Sequence, residues 1–196
     1  MKLKSGAEFT VKQVQKVRDS VMVQIDRAQV ESINGKPLPP PLIVGSTAPV
    51  FSATDTAGAA HTAPVAGSPT IIQFWASWCP YCRKDLELMR SLNTDFAPRG
   101  LKIIAVSIDQ DLEKLSAFLK DNPLPYTVIP LRGQPDQGQA IAEMYEVQGV
   151  PAYYVVDAKG VIVQTSSGSL TQQNAQAELS KALNAIVKSA DSLPAH

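Results

Sequence analysis

A nearly all-apolar run, Thr70-Ile71-Ile72-Gln73-Phe74-Trp75, leads through Ala76-Ser77-Trp78 into Cys79-Pro80-Tyr81-Cys82, which holds the only two cysteines in 196 residues. A buried strand that breaks into a Cys-x-x-Cys pair, with a helical pattern directly behind it, narrows the fold sharply. The first sulfur falls at a helix N-terminus, where unpaired backbone N–H groups and the positive end of the helix dipole stabilise a thiolate. A thiolate is the form that attacks disulfides, so the arrangement predicts thiol–disulfide exchange. Three other uses of the pair compete. A structural disulfide across two intervening residues removes little entropy from the unfolded chain. A zinc site needs about four ligands, and besides the cysteines the chain offers His61, in a loop-like segment, and His196, at the terminus. Chance pairing is the third.

Composition bounds the partners. Lys+Arg and Asp+Glu balance at 18 each, for a formal net charge of zero, so no broad field favours nucleic acid or an anionic membrane surface. At 44% hydrophobic and 18% charged the chain is an ordinary globular protein, long enough for one sizeable domain plus an extension. No stretch approaches the roughly 20 apolar residues of a membrane helix. Met1-Lys2-Leu3-Lys4 has the charged start of a signal peptide without the apolar run. Either the chain is cytosolic, or an export signal or anchor was removed ahead of it.

Val14, Val17, Val21, Ile25 and Ala28 recur at three- and four-residue spacing, which predicts a helix over about Phe9 to Ile33, although Val21, Val23 and Ile25 alternate as in a strand. Asn34-Gly35 and Pro39-Pro40-Pro41 then break the pattern into a turn and a stiff linker. Residues 1–41 thus read as a helical arm and linker, and 42–196 as a domain. The arm is either one more packed helix or a tether or dimer contact. From Leu42 the pattern alternates. Strands are predicted near Phe51, within Thr54 to Thr62, at Ile71 to Trp75, Leu101 to Ile108, Val128-Ile129, Ala152 to Val156 and Val161 to Gln164. Helices are predicted after Cys79, over Asp111 to Lys120, Gln137 to Tyr145 and Thr171 to Ser189. Such alternation implies an α/β fold with a largely parallel core sheet and a final antiparallel hairpin. The cysteines sit at the carboxyl end of a core strand, where such sheets place their sites.

The run Phe74 to Cys82 resembles the thioredoxin superfamily, and more narrowly its extracytoplasmic branch of TlpA/ResA/DsbE-like thiol–disulfide oxidoreductases. Four further segments carry the resemblance. Gly45 to Phe51 is similar to the branch's opening strand, and Ile104 to Asp109 to the strand before its inserted helix. Gly149-Val150-Pro151 resembles the superfamily's cis-proline loop, and Tyr153 to Gly160 the hairpin behind it. Together they span about Val44 to Lys188. The resemblance implies a thioredoxin-like fold, with a central mixed sheet flanked by helices and the helical extension at the N-terminus. Three positions depart from the pattern. Gln73 replaces the buried Asp of cytosolic thioredoxins, as is the habit of the branch. Asp85 stands where ResA-like proteins carry an active-site Glu. Pro80-Tyr81 is more similar to glutaredoxins and the isomerase DsbG.

Cys79 is accordingly assigned as an exposed attacking nucleophile, with Arg83 and Lys84 adding positive charge, and Cys82 as the shielded resolving thiol. The resemblance implies a cis bond before Pro151 and a substrate strand paired with the Val150 backbone. Trp78, Pro80 and Tyr81 form the substrate surface; Trp75 is assigned to the core. Asp85 is either the proton acceptor for Cys82 or a solvated helix carboxylate. No cofactor and no metal is expected, and no nucleic acid. Expected partners are protein disulfides or thiols, a membrane thiol donor or other redox partner, and a second copy through the arm. The expected compartment is periplasmic or otherwise extracytoplasmic. The branch favours a disulfide reductase, whereas Pro80-Tyr81 and a dimerising arm favour an isomerase or oxidase. A Cu(I)-binding chaperone is the reading of another class, with Met89 and Met144 as unplaced soft ligands. A peroxidase is excluded because no isolated cysteine with an upstream Thr and Pro is present.

Overall fold

The computed structural model of the chain describes residues 9–11, 30–33, 36–37, 42–134, 138–171 and 175–190. The chain divides into two units, Met1–Pro41 and Leu42–His196. In the first, β1 (Phe9–Val11), β2 (Val30–Ile33) and β3 (Lys36–Pro37) form an antiparallel sheet in that order. Phe9 pairs with Ile33, and Ile33 with Lys36. Both described ends of the Phe9-to-Ile33 helix are therefore strands, which corrects the helical arm there. The residues between them, and the Pro39-Pro40-Pro41 linker, lie outside the described residues. The physical reason is local: Val30 and Ile33 are β-branched, and the sequence that follows, Asn34-Gly35, is the dipeptide most favoured between hairpin strands.

The second unit opens with a hairpin of β4 (Phe51–Thr54) and β5 (Ala60–Ala63). Asp55 shapes its turn by accepting the N–H groups of Ala57 and Ala59, and its other oxygen lies 2.7 Å from His61 Nε2. His61 is thus engaged in the turn. Then follow β6 (Thr70–Trp75), α1 (Pro80–Phe96), β7 (Lys102–Ser107), α2 (Leu112–Asp121), β8 (Thr127–Pro130), α3 (Gly138–Met144), β9 (Ala152–Val156), β10 (Ile162–Ser167) and α4 (Ala175–Ala190). Five of these strands form one sheet in the order β10-β9-β6-β7-β8. β6, β7 and β8 are parallel, while β9 and β10 run antiparallel to their neighbours.

Every residue of β6 is buried, because the strand is central and covered on both faces. Ile72 and Phe74 face one apolar cluster with Val106, Ile141 of α3, Tyr145 and Tyr154. Ile71 faces the other, with Met89 and Leu92 of α1, Tyr153, and Leu179 and Leu183 of α4. A third cluster lies where α1 and α2 meet, joining Trp75, Ala105, Leu86, Leu115 and both cysteines. Gly100, at φ +89°, ends the short 3₁₀ turn Ala97–Arg99 behind α1 in a conformation that favours glycine.

The docking of α4 is directly measurable. Leu183 is fully buried, so Leu183→Ala should cost about 2–5 kcal/mol through lost contacts and a residual cavity. Urea unfolding should show a lower midpoint; an unchanged one would mean that α4 is not docked through this face.

Candidate active site

Trp75 ends β6 fully buried, 5.9 Å from the ring of Phe118 on α2. The chain then turns, and Asp109, just beyond β7, secures the turn. Its Oδ2 accepts the Ser77 N–H at 2.9 Å and the Ser107 hydroxyl at 2.7 Å, and its Oδ1 accepts the Ser77 hydroxyl at 2.6 Å. Cys79 follows as the N-cap of α1, with extended backbone angles, and its Sγ accepts the N–H of Cys82 at 3.2 Å. Pro80 opens the helix, where a missing N–H is harmless and a fixed φ is helical. On the other side the Val150–Pro151 peptide is cis, and the Val150 carbonyl oxygen lies 3.7 Å from Cys79 Sγ.

Cys79 is 4% exposed, which corrects the expectation of an exposed sulfur. The N-cap geometry turns the thiol inward toward Cys82, and the Val150 loop covers it. Trp78 and Tyr81 instead stand out into solvent, 60% and 58% exposed. Cys82 is fully buried. Burial pushes its thiol far above the ordinary range, helped by the hydrogen bond with Cys79 and by the charges of Cys79 and Asp85. The two thiols are thus unequal by construction.

Asp85 is fully buried and not a solvated carboxylate. Its Oδ2 accepts the Tyr153 hydroxyl at 2.6 Å and the Leu170 N–H at 2.9 Å, and its Oδ1 accepts the Ser169 hydroxyl. Among the described residues no hydrogen bond joins it to either sulfur. Three donors on other elements hold its short side chain, so its effect on Cys82 is through charge. Tyr153 lies opposite Gln73 in the β6–β9 register, with Gln73 Nε2 3.5 Å from its hydroxyl. Burial, and then the bond to Asp85, raise the Tyr153 phenol well above its usual range. Arg83 donates from Nε to the Ser77 carbonyl and lays its guanidinium 5.0 Å from the Phe118 ring centre; Lys84 Nζ stands 5.5 Å from that of Tyr81. Met89 is fully buried in the core, and Met144 is 39% exposed.

Sequence reasoning missed Asp109, Tyr153 and Ser169 as members of this site. A carboxylate two residues past a strand with an apolar centre, Ile103 to Val106, was the available signal for Asp109. Nothing local marked Ser169, whose partner is 84 residues away.

A central mixed sheet with a Cys-x-x-Cys turn at the carboxyl end of its middle strand is a thioredoxin-like fold. It is similar to the crystal structure of a putative thiol:disulfide interchange protein DsbE from Chlorobium tepidum, with a TM-score of 0.66 and 24% identity over 74% of this chain and 99% of that one. A putative protein disulfide isomerase from Bacteroides thetaiotaomicron gives a TM-score of 0.64 at 26% identity, over 75% and 91% of the two chains. The thiol-disulfide oxidoreductase ResA of Geobacillus kaustophilus is 26% identical over 137 residues, 69% of this chain and 76% of its own. The AhpC/TSA family matches residues 44–165, and the chain belongs to it.

The charge on Asp85 raises the cost of a thiolate at Cys82. Asp85→Asn removes that charge, so the second thiol should ionise at lower pH. Thiolate ultraviolet absorbance followed against pH reads this; an unmoved or raised midpoint would show that the carboxylate does not act on Cys82.

Proposed function

We propose that Cys79 and Cys82 are the redox pair of a disulfide reductase that works outside the cytoplasm. The chain is an enzyme, a thiol–disulfide oxidoreductase of the ResA/DsbE type, and proteins of this type act on protein thiols and disulfides. The observation that carries the site assignment is the Cys79 sulfur at the α1 N-cap, accepting the Cys82 N–H at 3.2 Å while Cys82 is fully buried. In the reducing direction the Cys79 thiolate attacks a substrate disulfide and one substrate thiolate leaves. Cys82 then loses its proton and attacks Cys79 Sγ. The second substrate thiolate leaves, and the two electrons that reduce the substrate disulfide come from the Cys79 and Cys82 thiols as they are oxidised to the Cys79–Cys82 disulfide.

Strong oxidants of this chemistry owe their potential to a stabilised reduced form. Among the described residues Cys79 Sγ has one N–H donor and a carbonyl at 3.7 Å, with no charged group in hydrogen-bond reach. This sparse donor set supports the reducing direction. Trp78, Pro80 and Tyr81 supply the surface on which a substrate chain rests, and the Val150 backbone beside Pro151 aligns it. Reoxidised enzyme then needs a dithiol donor, for which a membrane thiol protein is our proposal. The likeness to a putative disulfide isomerase supports a second reading, an isomerase that dimerises through residues 1–41. Among the described residues no helix is long and apolar enough to cross a membrane.

Cys79→Ser should abolish disulfide exchange, and Cys82→Ser should accumulate a mixed disulfide with substrate, visible on non-reducing gels. Trapping by Cys79→Ser instead would reverse the roles. Equilibration with glutathione should give a potential near about −270 mV, the thioredoxin value. A value of roughly −120 to −180 mV would favour oxidation or isomerisation.

A further inference from the structure

Between the turn before Cys79 and α2 lies a cavity of about 440 Å³ that the exchange mechanism does not use. Trp78 forms its rim next to Cys79, and Phe118 of α2 lines it with Arg83 laid over its ring, 5.0 Å from the ring centre. Ser77, Asp109, Gln110, Asp111 and Lys114 complete the polar lining. Two carboxylates against two cations make the cavity formally neutral. Its strongest free hydrogen-bonding group is nonetheless a donor, the Arg83 guanidinium.

Both carboxylates are already spent. Asp109 takes the Ser77 N–H and hydroxyl and the Ser107 hydroxyl, on a side chain that is 2% exposed. Asp111 caps α2, with Oδ1 accepting the N–H groups of Glu113 and Lys114, while its Oδ2 lies 3.3 Å from Lys114 Nζ. Arg83 spends only Nε, on the Ser77 carbonyl. Among the described residues its two terminal nitrogens have no partner. The guanidinium is held by an aromatic face and a backbone bond, so it offers a planar two-pronged donor at little further entropic cost. A carboxylate fits such a donor, whereas for an ammonium the lining offers only the neutral amide oxygen of Gln110, beside two cations.

We propose that this cavity is a specificity subsite for an acidic residue of the substrate polypeptide, close in sequence to the cysteine that Cys79 attacks. The inference rests on Cys79 being the attacking sulfur. When that cysteine joins Cys79 in the mixed disulfide, a neighbouring Asp or Glu reaches past Trp78 and pairs with the Arg83 nitrogens. The pairing fixes the substrate's register without entering the electron balance of the exchange.

The test compares two disulfide-linked peptide dimers of matched sequence, one with Glu and one with Lys beside the cysteine, as substrates of the reduced full chain. The ratio of kcat/KM for the Glu peptide over the Lys peptide is the readout. Arg83 also stands near the thiols, and any general effect on their reactivity moves both rates together and cancels in the ratio. The unmodified protein should prefer the Glu peptide, and Arg83→Gln should lower the ratio by roughly fivefold, the scale of a partly exposed charge pair. Arg83→Lys keeps the charge but loses the planar fork, and should fall between the two. Phe118→Leu, which removes the surface beneath the guanidinium from a different element, should also lower the ratio. A ratio near one in the unmodified protein, or a ratio that Arg83→Gln leaves unchanged, overturns the subsite while the oxidoreductase reading stands. Failure to react with either peptide overturns the assignment of Cys79, and the subsite with it.

Discussion

The turn that leaves β6 at Trp75 and enters α1 at Pro80 must present a sulfur at a fixed angle without the support of regular backbone pairing. One buried carboxylate supplies that support. Asp109 accepts three hydrogen bonds, two from Ser77 in the turn and one from Ser107 at the end of the neighbouring strand. Hydrogen bonds to a charged acceptor are roughly twice as strong as neutral ones, and leaving any of these buried donors unmet would cost about 1–3 kcal/mol. The Ile108 N–H adds a backbone bond to the Trp75 carbonyl at 2.9 Å. The ends of β6 and β7 are thereby tied to one point. Everything downstream, from the cap geometry of Cys79 to the direction of Arg83, is set from it.

A second buried carboxylate works beneath the sulfurs to a different end. A buried charge is tolerated only when its oxygens are well supplied with donors. Asp85 meets that demand with Tyr153 of β9, on the sheet face that α1 covers, and with Ser169 and the Leu170 N–H in the chain before α4. Its negative charge then opposes ionisation of Cys82, in the same direction as burial. The Cys82 thiol is thereby harder to ionise, while Cys79 holds the N-cap position. Asp109 ties down the turn that leads to Cys79, and Asp85 opposes ionisation of Cys82.

How much of this was legible follows from how far apart in sequence each partner lies. The unit from Thr70 to Phe96 could be read almost complete, because a six-residue apolar strand, the cysteine pair and the Leu86/Met89/Leu92 spacing are local signals. The alternation of strands and helices after it was equally local. Asp85 was singled out by position alone, and its environment was not, since Tyr153 lies 68 residues away. The burial of Cys79 was missed for the same reason: the carbonyl that covers it is 71 residues downstream. At the N-terminus the error was of another kind. Asn34-Gly35 was read as the end of a helix, when the same dipeptide is a strong signal for joining two antiparallel strands. Periodicity over Val14 to Ala28 outweighed it.

The recessed position of Cys79 limits what it can attack. Cys79 is 4% exposed, with the Val150 carbonyl 3.7 Å from its sulfur, while its near neighbours in the chain, Trp78 and Tyr81, project into solvent at 60% and 58%. With Cys79 as the proposed nucleophile, in-line attack needs the substrate disulfide to reach into this recess, which a disulfide within a well-packed domain surface does less readily. A disulfide in an extended segment can reach it, gaining backbone contact along Val150 and apolar contact on the aromatic rings. On the proposed mechanism the recess thus selects for substrate conformation before any side chain is read. Discrimination among extended segments then falls to the proposed subsite at α2, where the free donors of Arg83 lie.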